Sequence, residues 1–114
     1  MPNHESLRSL AERFIASTNA FDVKAAVALF ADDAVIDDPS TGHRFERYVG
    51  IREYIERYFV GYRTVTRLIS TRRLPDGRLK VRVDFEGDFG HEIGLLHLRQ
   101  GEDGLIQRID ADLE

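Results

Sequence analysis

A chain of 114 residues, 42% hydrophobic and 32% charged, has the size and balance of a single domain that buries its own core, so one domain over 1–114 is expected. The formal net charge of −4 argues against a surface built to neutralise phosphates, and no apolar run approaches the roughly 20 residues of a membrane-crossing helix, so neither nucleic acid nor membrane is an expected partner. The absence of cysteine removes disulfides, thiolate catalysis and Cys-based zinc sites, and no basic stretch followed by an apolar one opens the sequence, which leads to the expectation of a cytoplasmic protein.

Leu7, Leu10, Ala11, Phe14, Ile15 and Thr18 recur at three- and four-residue spacing, which predicts a first helix over about 5–19. Asp22 is placed to cap a second short helix running through Phe30, because its carboxylate can accept the free N–H groups of a first turn. Asp32 and Asp33 interrupt the pattern, and 34–38 reads as a short strand that Pro39 ends. Residues 40–50 are expected to form a loop or short hairpin. A third helix fits 51–59, with Ile51, Tyr54, Ile55, Tyr58 and Phe59 on a shared side.

After Gly61 the period becomes alternating, and strands are expected near 63–74, 78–89, 92–100 and 105–113. Pro75-Asp76-Gly77, Gly87 to Gly90 and Gly101 to Gly104 supply the turns. Leu79, Val81, Val83, Phe85 and Phe89 share one face, opposite Lys80, Arg82, Asp84 and Glu86. The basic run Arg72, Arg73, Arg78, Lys80 and Arg82 is read as the solvated face of a hairpin. Helices first and strands afterwards indicate an α+β layer arrangement.

Asn19-Ala20-Phe21-Asp22, Val27 to Ala34, Asp38-Pro39 and Ile51-Arg52-Glu53 together resemble the first half of ketosteroid isomerases and of the SnoaL-like polyketide-cyclase-like proteins, both of the nuclear-transport-factor-2-like (NTF2-like) superfamily. The resemblance implies a cone-shaped fold in which N-terminal helices pack on a curved antiparallel sheet around a largely apolar pocket. It also implies a homodimer formed through the outer sheet surface, and Ile93, Leu95, His97, Arg108 and Asp110 are expected on that face.

In the isomerases the aspartate before this proline moves a proton between carbons, which makes Asp38 the candidate general base. The family's oxyanion donors, a tyrosine on the first helix and a protonated aspartate on a late strand, align with Phe14 and Leu96, neither of which can donate a hydrogen bond. A standard ketosteroid isomerase is therefore not expected. Tyr58 is the preferred substitute donor, and Phe14, Thr18, Tyr54, Ile55, Phe85, Leu96 and Leu98 are the candidate ligand-binding residues for a small, mainly apolar organic molecule. Two readings stay open: an isomerase- or cyclase-like proton-transfer enzyme, and a non-catalytic ligand-binding or dimerisation module.

Alternation puts Asp38 with Ile36 on the inner side and Asp37 with Val35 on the other. Desolvation of Asp38 leads to the expectation that Asp38→Asn leaves stability unchanged or raises it near neutral pH. Among the four histidines, His4 is terminal, His43 lies in a loop, and His91 and His97 are about 20 Å apart along a regular strand, so no metal site is expected. No phosphate-binding glycine loop or serine nucleophile elbow is present, and no cofactor is expected.

Overall fold

The computed structural model describes residues 5–114; His4 lies outside them. α1 (Leu7–Asn19) begins where the Ser6 hydroxyl accepts the Ser9 N–H at 3.1 Å, and it buries Leu7, Leu10, Ala11, Phe14 and Thr18 on the predicted stripe. Asp22 caps α2 (Val23–Val27) by accepting the Ala25 N–H. The second helix is thus shorter than the sequence suggests, because Phe30 already opens β1 (Phe30–Asp38). The apolar run Val27 to Ala31 suits a helix end or a buried strand equally well, and pairing of Phe30 with Ile106 selects the strand. Asp32 and Asp33 occupy an irregularity in that pairing, between Phe30 and Val35, and are exposed.

A 3-10 turn at Pro39–Thr41 leads into β2 (His43–Glu46), which pairs antiparallel with β1 and forms the short hairpin allowed for this segment. α3 (Arg47–Ile55) starts four residues earlier than expected and continues into a π turn over Glu56–Val60. β3 (Val65–Arg73), β4 (Leu79–Gly87), β5 (Gly90–Gln100) and β6 (Ile106–Leu113) follow as the predicted meander.

The six strands form one curved, unclosed sheet in the order β2-β1-β6-β5-β4-β3. Its neighbours are antiparallel except for β1 and β6, which run parallel, with Ile36 opposite Ile109 and Asp37 opposite Asp110. The expected antiparallel sheet is therefore mixed at this one seam, since alternation fixes which face a residue takes but not the direction of its neighbour. On the concave face Ile36, Leu79, Val81, Val83, Leu96, Leu98 and Ile109 are buried beneath the helices. Phe14 binds the layers together, with its ring edge-on to Phe30 at 5.7 Å and to Phe59 at 5.8 Å.

A side-chain clamp fastens α1 to the outer strand. Asn19 accepts the Thr66 N–H at 2.7 Å and donates to the Thr66 carbonyl at 2.9 Å, as a paired strand residue would. No helix among the described residues is long and apolar enough to cross a membrane.

Candidate active site

β1 alternates as the sequence predicts. Ala34, Ile36 and Asp38 turn inward and are buried, whereas Val35 and Asp37 are half-buried on the convex face. There Asp37 meets Arg108 at 3.2 Å, and Arg108 also reaches Asp110.

Asp38 ends its strand because Pro39 follows, and Pro39 opens the 3-10 turn without an N–H that would need a partner. The carboxylate of Asp38 caps this turn. One oxygen accepts the Ser40 N–H at 3.1 Å and the Ser40 hydroxyl at 2.6 Å; the other accepts the Tyr54 hydroxyl at 2.7 Å. Thr41 closes the turn by donating to the Asp38 carbonyl. Donors on two elements thereby fix the plane of a carboxylate that is only 9% exposed.

Tyr54 sits one helix away, with its ring packed on Phe45 at 5.0 Å and on Tyr58 at 5.2 Å. Burial first, then the charge of Asp38, raises its hydroxyl well above the ordinary phenol value. Tyr54 therefore keeps its proton and donates a hydrogen bond to Asp38.

The π turn extends this wall. The Gly61 N–H reaches back to the Glu56 carbonyl and the Thr64 N–H to the Phe59 carbonyl, each five residues earlier and each at 2.8 Å. The wider winding keeps residues four apart in line, so Tyr54, Tyr58 and Tyr62 stack as a row that ends on Phe89, 6.0 Å from Tyr62. Opposite, the Phe85 ring lies against Gly94 on the concave sheet, where a Cβ would collide with it.

These elements enclose a cleft of about 540 Å³. The turn after β1 supplies Asp38, Ser40 and Thr41. The helix and π turn supply Tyr54, Tyr58, Phe59, Tyr62 and Thr64, and the sheet supplies Phe85, Glu92 and Leu113, with Phe89 from the β4–β5 turn. Among the described residues the Tyr58 hydroxyl has no hydrogen-bond partner, whereas the Thr64 hydroxyl is turned to the Tyr58 carbonyl.

Of the residues singled out from sequence, Asp38, Tyr54, Tyr58 and Phe85 meet at this cleft. Phe14, Thr18, Ile55, Leu96 and Leu98 are fully or almost fully buried and fill the core beneath it rather than lining it. Thr18 turns its hydroxyl to the Ile15 carbonyl of its own helix, where it has no proton to offer a ligand. Phe14 and Leu96, at the positions of the family's oxyanion donors, are apolar core residues, so no donor points from either place.

Sequence reasoning passed over Ser40, Tyr62 and Glu92. Each carries a signal: a serine two residues after a capping aspartate, a third tyrosine at four-residue spacing, and a charge on the strand face shared by Gly94 and Leu96. A second groove of about 440 Å³, between α2 and α3 and lined by Val23, Val27, Tyr48 and Val49 among others, shares no residue with the first. Among the described residues no group of three or more His, Cys, Asp or Glu side chains converges as metal ligands would.

Solved structures share this architecture closely. SalBIII, an epoxide hydrolase/cyclase-like enzyme in pyran ring formation in polyether salinomycin, superposes with a TM-score of 0.82 at 18% identity, over 94% of this chain and 89% of that one. A candidate polyketide cyclase from Sinorhizobium meliloti gives 0.80 at 21% identity, over 90% and 93% of the two chains. A candidate ketosteroid isomerase from Kribbella flavida gives 0.79 at 20% identity, over 94% and 76%. At such identities the likeness establishes the fold and leaves the chemistry to the residues. The SnoaL-like domain model matches residues 11–108, nearly the whole chain, and the chain accordingly belongs to the SnoaL-like family of the NTF2-like superfamily.

Proposed function

We propose that the cleft binds a small, mainly apolar carbonyl compound and that Asp38 is the general base in an isomerase- or cyclase-like proton transfer. The observation that carries this reading is the Asp38 carboxylate, fixed by Ser40 and Tyr54 on the wall of the cleft, next to a Tyr58 ring whose hydroxyl has no partner among the described residues. In the step itself, the C–H bond beside the carbonyl breaks and its proton passes to an Asp38 oxygen. The electron pair moves into the enolate, whose oxygen accepts a hydrogen bond from Tyr58. Return of the proton to another carbon is an isomerisation; attack of the enolate carbon on a second carbonyl of the same molecule opens that C=O π bond to an alkoxide, which takes the proton back from Asp38, and is a cyclisation. Fold neighbours described as a candidate isomerase and a candidate cyclase support the reaction class.

Binding without turnover is the alternative, favoured by the apolar residues at Phe14 and Leu96. One assay separates them. Incubation with β-tetralone in heavy water, followed by proton NMR, should show faster exchange of the hydrogens beside the carbonyl with the wild type, little with Asp38→Asn and less with Tyr58→Phe. Exchange no faster than in buffer, from a protein that binds the ketone, would establish the non-catalytic reading.

The same proposal includes a homodimer through the convex sheet face, where Ile93 and Leu95 lie half-buried beside His97, Arg108 and Asp110. Apolar side chains on an otherwise charged face support it. A concentration-independent monomer in sedimentation at micromolar protein would reject it.

A further inference from the structure

The proposed cleft has walls of one electrical character. Six of its lining side chains are aromatic, namely Tyr54, Tyr58, Phe59, Tyr62, Phe85 and Phe89, and its two ionisable carboxyl groups are those of Asp38 and Glu92. Among the described residues no lysine, arginine or histidine contributes to the lining. Ring faces carry negative quadrupole density, and they attract a cation strongly where water is partly excluded.

Asp38 has its oxygens bonded to Ser40 and Tyr54. Glu92 is different: it is exposed, stands on the concave side opposite Phe85 in the β4–β5 register, and has no hydrogen bond or ion pair among the described residues. One ring of the wall already receives a cation, since the Arg57 guanidinium lies over Tyr58 at 5.9 Å from its centroid, although Arg57 is not part of the lining.

We infer that the ligand of this cleft is a cation: a ring-bearing ammonium compound whose apolar body lies along the Tyr58–Tyr62–Phe89 wall and whose charged nitrogen is neutralised by Glu92. The inference rests on the cleft being the ligand site and specifies the class of molecule it takes. A carbonyl on the same ligand remains open to Asp38, and the two carboxylates then have separate tasks, Asp38 toward the reacting carbon and Glu92 toward the charge.

Three probes of one skeleton test it: β-aminotetralin, which is protonated at neutral pH, β-tetralone, which is neutral, and tetralin-β-carboxylate, which is anionic. Calorimetric titration of the full chain at low salt should rank the ammonium first, tighter than the ketone by on the order of tenfold, with the carboxylate weakest. Glu92→Gln, at an exposed position, should remove most of that preference by weakening the ammonium far more than the ketone. Tyr62→Leu should weaken the ammonium more than the ketone. Raised salt should narrow the gap.

Ketone binding equal to or tighter than ammonium binding overturns the charge inference and leaves Asp38 as a candidate base, which proton exchange on the ketone measures separately. An ammonium preference that Glu92→Gln does not reduce also overturns it. Saturable ammonium binding without catalysed exchange supports the inference while refuting the general-base reading. No binding of any probe overturns the inference together with the ligand site on which it rests.

Discussion

Replacing Tyr54 by phenylalanine removes one oxygen and little else. The ring can keep its contacts with Phe45 at 5.0 Å and Phe59 at 6.0 Å, so packing should survive. What disappears is a 2.7 Å hydrogen bond to a carboxylate, between residues only 7% and 9% exposed. A hydrogen bond to a charged group contributes about 1.5–3 kcal/mol, and Asp38 keeps its two Ser40 donors, so the loss should fall in that range rather than above it. For a chain of this length that corresponds to a fall in Tm of roughly 6–12 °C.

The same substitution has a signature at high pH. The Tyr54 hydroxyl is raised well above its ordinary value of 10.0 in the folded state, so the unfolded chain releases this proton first. Its contribution to stability is complete below the ordinary phenol value and declines as pH rises above it. Wild-type stability should therefore drop beyond about pH 10, and Tyr54→Phe should lack this part of the drop. Urea denaturation followed by circular dichroism at pH 7 and at pH 10 to 11 measures both effects, with Tyr58→Phe as the control because its hydroxyl has no partner among the described residues. A Tyr54→Phe loss at neutral pH no larger than that of the control would refute the argument that this hydrogen bond holds Asp38 in place.

Asp38→Asn should lower stability by about 1 kcal/mol: the amide oxygen can keep the Ser40 donors and its N–H can meet the Tyr54 oxygen, but the charge-assisted share is lost. This departs from the sequence expectation of unchanged or higher stability, which holds for a desolvated carboxylate without compensating donors, whereas three donors meet this one; the urea midpoint decides it. If the protein is catalytic, the same change should cost about 10²–10⁴ in proton-exchange rate. Gly94→Ala should force the Phe85 ring out toward the cleft, lowering stability by about 1–3 kcal/mol and weakening probe binding, as thermal unfolding and calorimetry would show. Leu95→Lys, on the convex face, should shift a dimer to monomer in sedimentation without altering the far-UV spectrum.

The parity of β1 was legible in the sequence because a strand has a period of two: once Ile36 is inside, Asp38 must be inside and Asp37 outside. The depth of an inward residue was not. Phe14, Leu96 and Leu98 read as inward-facing, and periodicity cannot tell a residue that fills the core from one that borders a cavity above it. The choice between Tyr54 and Tyr58 was hidden for another reason. The hydrogen bond that places Tyr54 on Asp38 joins residues 16 apart across two elements, and the π turn that aligns Tyr62 has no local sequence mark of the kind that Pro39 gives the preceding strand. The parallel seam between β1 and β6 is likewise a product of long-range packing, since only the later meander brings Ile109 beside Ile36.

The clamp between Asn19 and Thr66 bears on how copies of this protein can meet. β3 is an edge of the sheet, and an open edge invites another chain to add a strand. At Thr66 both outward backbone groups are already taken by Asn19, and at the far end of the same strand Arg72 and Arg73 are exposed. One end of the edge is thus capped from within and the other carries like charges that would face their counterparts in an incoming copy. Strand-by-strand growth into fibrils is opposed on this side of the sheet, in part by two side-chain hydrogen bonds that fix α1 at the same time.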